Sequence, residues 1–115
     1  MAATRRRTPA AAKAAAGDAP ARPDFEVIGD ELVCHTYGDL RLSLVIPMAR
    51  YQAFLDINAD ATQWPDQIAA WKSQVMPAEV VEAIDKEAEK DFAAGFALAR
   101  QWALGLDVRL GKALS

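Results

Sequence analysis

The clearest pattern in the chain is an alternation. Leu40, Leu42, Leu44 and Ile46 are interleaved with Arg41, Ser43 and Val45, a period of two that gives a strand one apolar face. Upstream, Phe25–Ile28 reads as a short strand ending at Gly29-Asp30. Glu31–Tyr37 is rich in β-forming residues and ends at Gly38-Asp39. Both dipeptides are tight-turn signals. Three antiparallel strands joined by two tight turns make a small meander whose apolar face needs a cover.

The period then changes at Pro47, a residue that cannot continue a ladder but suits a first helical turn. Met48, Tyr51, Phe54 and Leu55 recur at helical spacing and predict a helix over 47–57. A second helix is expected to open near Pro65, with Ile68, Trp71 and Val75 on one face and Pro77 ending it. A third, from about Pro77 to Leu104, carries Val80, Val81, Ile84, Ala88, Phe92, Phe96, Ala99 and Trp102 as its apolar stripe. Gly95 inside it either permits close packing or divides it in two, which makes three or four helices in all. Gly105 reads as its C-terminal cap. The expected fold class is α+β, a small antiparallel meander of two or three strands followed by helices.

Composition adds the ends. Residues 1–24 hold ten alanines, three prolines and the basic residues Arg5, Arg6, Arg7, Lys13 and Arg22 against two acids. They lack the large apolar side chains that offset ordering entropy. They are expected to be a disordered arm, either a solvated leader or a basic arm touching RNA, DNA or an acidic protein face. Residues 25–105 are expected to form a single domain and 106–115 a mobile tail. Alanine follows Arg5-Arg6-Arg7 where a secretory signal would need a leucine-type core, so such a signal is not expected. No run of about 18 apolar residues predicts a membrane span.

Candidate chemistry is sparse. The chain has one histidine, His35, and one cysteine, Cys34. As strand neighbours they would point to opposite faces, which suits neither a shared metal ion nor a nucleophile–base pair. Phosphate-binding glycine loops are missing from the sequence. Asp85, Glu87, Glu89 and Asp91 lie interleaved with Lys86 and Lys90, as on a solvated helix face. The acids of the body outnumber its scattered bases, which disfavours nucleic acid. No catalytic residue, cofactor or metal is expected. Three tryptophans and four phenylalanines are many for a chain of this size. Most are expected in the core, and the rest could line a groove for an apolar helix. Trp64, Trp71, Phe96 and Trp102 are the candidate contact residues.

The layout resembles the tail assembly chaperones of long-tailed bacteriophages, particularly those infecting actinobacteria. The resemblance runs over roughly residues 24–115. It begins at "DFEVIGDELV" and is closer at the end, "FALARQWALGLDVRLGKALS". Trp102 followed by Gly105-Leu106-Asp107-Val108-Arg109-Leu110-Gly111-Lys112 fits that family's aromatic–Trp helix and its G-[LV]-x-[LV]-x-L-G-[KE] ending. The resemblance implies a non-catalytic protein that binds the tape measure protein, keeps it soluble and helps tail-tube subunits (the major tail protein) assemble around it. It implies action in the host bacterial cytoplasm and absence from the mature virion. In this family a longer form often arises by a −1 ribosomal slip. Leu110-Gly111-Lys112 can be encoded CTG GGA AAG, which contains a slippery heptamer. Any self-association is expected through the long helix or a sheet edge. The alternatives are another phage morphogenesis protein, such as a head–tail connector or minor tail component, a small DNA-binding regulator or antitoxin using the basic arm, and an enzyme using His35.

Overall fold

The computed structural model describes residues 23–60 and 63–115. The expected arm lies outside them up to residue 22. Asp24, assigned to that arm, is part of the folded body: its carbonyl accepts from His35 N at 2.8 Å and its carboxylate from Thr36 Oγ1 at 2.9 Å.

Strands β1 (Phe25–Ile28), β2 (Glu31–Cys34) and β3 (Leu40–Ser43) form an antiparallel sheet in the order β1-β2-β3. The register pairs Val27 with Leu32 and Leu32 with Leu42, so Phe25, Val27, Leu32, Cys34, Leu40 and Leu42 share one face. The second strand is shorter than expected. It stops at Cys34, and His35–Tyr37 form one 3-10 turn. The chain reverses there through two successive left-handed residues, Gly38 at φ 70° and Asp39 at φ 59°, as a tight hairpin turn requires. The alternation of the third strand outlasts its ladder. Leu44 is still buried, and its N–H donates to Asp30 O at 2.9 Å.

Helix α1 spans Met48–Asp60, opened by the Pro47 carbonyl, which accepts from Arg50 N and Tyr51 N. Helix α2 spans Trp64–Gln74 with Pro65 in its first turn. Asn58 ties the two together: its Oδ1 accepts from Gln67 Nε2 at 3.0 Å and from Trp71 Nε1 at 2.9 Å. Carbonyls at a helix C-terminus lack helical partners. Arg50 reaches the C-cap of α2, donating to Val75 O at 3.5 Å, and the residue beyond it, donating to Met76 O at 2.8 Å.

The expected third helix is two, α3 (Ala78–Lys90) and α4 (Phe92–Leu114). The break falls at Asp91 and not at Gly95. Asp91 is extended, its N–H closes α3 on Glu87 O, and its carboxylate accepts from Ala93 N at 3.1 Å to open α4, a favourable N-cap. Gly95 permits close packing instead: a Cβ built on it would sit 2.5 Å from Ala88 Cβ. Gly105 is not a cap, and the domain does not end there. Helix α4 runs on through it to Leu114, and Gly105 is buried where the helix crosses the sheet. A Cβ there would lie 3.0 Å from Leu44 Cδ2. Residues 106–114, expected as a mobile tail, are helical because Leu106 joins the core and because Arg109 and Lys112 donate to Leu44 O and Val27 O.

The core fills the space between the sheet and this helical layer. It is centred on Leu32, Leu42, Leu44, Phe54, Val80, Ile84, Leu98 and Trp102.

Candidate functional site

The two side chains with intrinsic chemistry diverge. Cys34 ends β2 on the core face and is fully buried; burial pushes its thiol up to about 11, so the sulfur stays protonated. His35, the next residue, turns to the opposite side. Its Nδ1 lies 2.6 Å from Asp39 Oδ1 and its Nε2 2.9 Å from Glu26 Oε1. The ring therefore ties β1 to the Gly38-Asp39 turn. Among the described residues no group of three or more His, Cys, Asp or Glu side chains could hold a metal ion. Two of the acids of α3 meet bases: Asp85 pairs with Lys72, and Glu87 with Lys90 at 3.6 Å.

Of the four aromatic contact candidates, Trp71 and Trp102 are buried and Phe96 is on the surface. Trp102 is a core residue with no exposed surface, and its indole N–H needs a buried acceptor, which Ser43 O provides at 2.7 Å. Trp71 is buried against Phe54, ring centroids 5.6 Å apart, and donates to Asn58. Phe96 is on the surface, 37% exposed, in an edge-to-face pair with Phe92 at 6.1 Å. The side chain of Trp64 lies outside the described residues.

Aliphatic side chains make an exposed apolar surface elsewhere. A groove of about 300 Å³ runs between the start of α1, the end of β3 and the last turns of α4. Leu44, Ile46, Met48, Tyr51, Leu106, Leu110 and Ala113 line it, with Arg109. Met48 is 76% exposed and Leu110 41% exposed, so the groove is apolar and open to water. Leu110, Gly111 and Lys112, noted in the sequence for their codons, sit on the last turns of α4 beside it. The helical spacing of Leu106, Leu110, Ala113 and Leu114 was the signal that could have revealed this wall. Gly105, taken as a cap, concealed it.

Among the described residues no helix is long and apolar enough to cross a membrane. Comparison with protein-family models, curated proteins and solved structures finds no match to this chain.

Proposed function

We propose that this chain is a non-catalytic tail assembly chaperone that binds apolar helical segments of a phage tape measure protein. The observation that carries the reading is the groove of about 300 Å³ walled by Ile46, Met48, Tyr51 and Leu110. Apolar side chains this open to water at the junction of three elements are suited to receive the anchors of an amphipathic helix. A tape measure protein presents long apolar helical faces before the tube encloses them, and such faces aggregate. A groove that takes only a few side chains binds each segment weakly. Weak binding repeated along a long partner masks it, yet allows tail-tube subunits to displace the copies. The resemblance of the sequence to the tail assembly chaperones supports the same partner. A −1 slip in the codons for Leu110-Gly111-Lys112 would join a longer product to the end of α4, next to this groove.

Co-expression with the tape measure protein of the same phage tests the reading. The partner should move from the pellet to the soluble fraction when this chain is present. Equal solubility with and without it removes the proposal. Mass spectrometry of purified virions separates it from a structural tail component, since this chain should be missing from them.

A further inference from the structure

The His35 ring is held from both ends. Its side chain is 9% exposed, yet each nitrogen meets a carboxylate oxygen, Asp39 Oδ1 at 2.6 Å on Nδ1 and Glu26 Oε1 at 2.9 Å on Nε2. An ionised carboxylate can only accept, and a neutral imidazole carries one N–H and one bare lone pair. A neutral ring would therefore satisfy one acid and turn its lone pair toward the other. Only the imidazolium, with an N–H on each nitrogen, donates to both. Two negative neighbours also favour the charged ring, so it keeps its proton to higher pH than an ordinary histidine.

The other charged groups around it leave that preference in place. Ahead of β1, the Asp24 carboxylate accepts from Thr36 Oγ1 at 2.9 Å, a third negative charge beside the turn. On β3, Arg41 shares the face of Glu26 through the register at Val33, but its own charge is met by Glu31 at 3.0 Å. From α4, Lys112 is engaged with Val27 O.

The three residues sit on separate pieces of backbone. Glu26 is in β1, an edge strand of four residues that pairs only with β2. His35 follows β2, and Asp39 is in the turn before β3. We infer that His35 carries a proton on both ring nitrogens at neutral pH and acts as a proton-dependent clasp, fastening β1 to the β2–β3 turn and loosening that edge of the sheet as pH rises. Because the folded ring holds its proton more tightly than the unfolded one, the clasp contributes fully below the unfolded value, about 6.5. Its contribution is lost as pH rises through the higher folded value.

His35 is the sole histidine of the chain, so one set of ring resonances reports it. In an NMR titration of the full chain from about pH 5 to 9, where carboxylates are ionised, the midpoint should lie above that of the same chain in urea. At neutral pH both ring nitrogens should show the shifts of an imidazolium. Glu26→Gln and Asp39→Asn should each lower the midpoint. Amide protection in β1, corrected for intrinsic exchange, should fall through the wild-type midpoint while that of Leu98–Trp102 in α4 holds. His35→Gln should flatten this fall; should that variant not fold, the two carboxylate variants should move the fall to lower pH. A folded midpoint at or below the urea value overturns the inference. So does a neutral-ring nitrogen pattern at neutral pH, a midpoint unmoved by both carboxylate substitutions, or β1 protection that stays flat across the titration.

Discussion

The indole N–H of Trp102 donates to the backbone carbonyl of Ser43 at 2.7 Å, joining residues 59 positions apart. Ser43 ends β3, an edge strand of the sheet. At the other edge, Lys112 Nζ donates to Val27 O in β1 at 3.1 Å. One helix thus occupies backbone acceptors on both edge strands. Unoccupied edges recruit further chains, so α4 serves the sheet as a cover and as a guard.

Removing the indole donor while keeping an aromatic ring should therefore cost more than a surface change. Trp102→Phe leaves the Ser43 carbonyl without its donor and a gap in the core. We expect a loss of about 2–4 kcal/mol in urea unfolding. A value within experimental error of the wild type would mean that the hydrogen bond contributes nothing net.

The contact of Gly95 with Ala88 sets two effects against each other. Alanine is a better helix former than glycine by about 1 kcal/mol. A Cβ at 95 would however lie 2.5 Å from Ala88 Cβ and 3.1 Å from its Cα, and overpacking of this kind costs about 1–3 kcal/mol. Sterics should win, so Gly95→Ala should lower the melting temperature. Ala88→Gly should be less harmful in that background than in the wild type, a non-additivity a double-mutant cycle would read.

Asp39 combines a left-handed backbone, φ 59°, with a carboxylate on His35 Nδ1. Substitutions should rank by which of these they keep. Asparagine tolerates the conformation and retains an acceptor. Glycine keeps only the conformation, and alanine keeps neither and adds about 1–2 kcal/mol of backbone cost. Thermal melts should order Asp39→Asn, Asp39→Gly and Asp39→Ala from least to most destabilised. An alanine variant as stable as the glycine one would remove backbone strain from this account.

Cys34 should be inert in the folded protein. Its thiol ionises at about 11 instead of the ordinary 9.0 because burial disfavours the thiolate. Disulfide-exchange reagents should label it only at the rate of unfolding, and fast once denaturant is added. The sign for stability follows from the same shift. The contribution is fully present below about pH 9 and is lost as pH rises through about 11, because the unfolded chain releases the proton first. Rapid labelling under native conditions at neutral pH would show that the sulfur is reachable.

Met48 and Leu110 permit a test of the groove that spares the fold. Both are exposed, and exposed substitutions usually change stability by no more than about 0.5 kcal/mol. Met48→Asp and Leu110→Asp should leave the melting curve in place and abolish solubilisation of the tape measure protein on co-expression. Full solubilisation by both variants would move the binding site elsewhere.

Local pattern carried much of this protein. The alternation from Leu40 to Ile46, the two turn dipeptides and the prolines at 47, 65 and 77 marked where the elements begin, because side-chain period and proline geometry act within a few residues. They also identified many of the buried positions of the sheet and helices, although Met48, Leu55, Phe92 and Phe96, read into the same stripes, are exposed. Tertiary structure decided the rest. Whether the long apolar run breaks at Gly95 or elsewhere depended on Asp91 capping two helices and on Ala88 pressing against the glycine. Whether Gly105 ends a helix or sits beneath one depended on Leu44, far back in the chain. Trp71 and Trp102 belong to the core because acceptors on other elements, Asn58 and Ser43, meet their indole N–H groups. The open groove arises only where the ends of three elements converge. A sequence read by period identifies which face of each element is apolar. Which of those faces remain uncovered is a property of the packed chain.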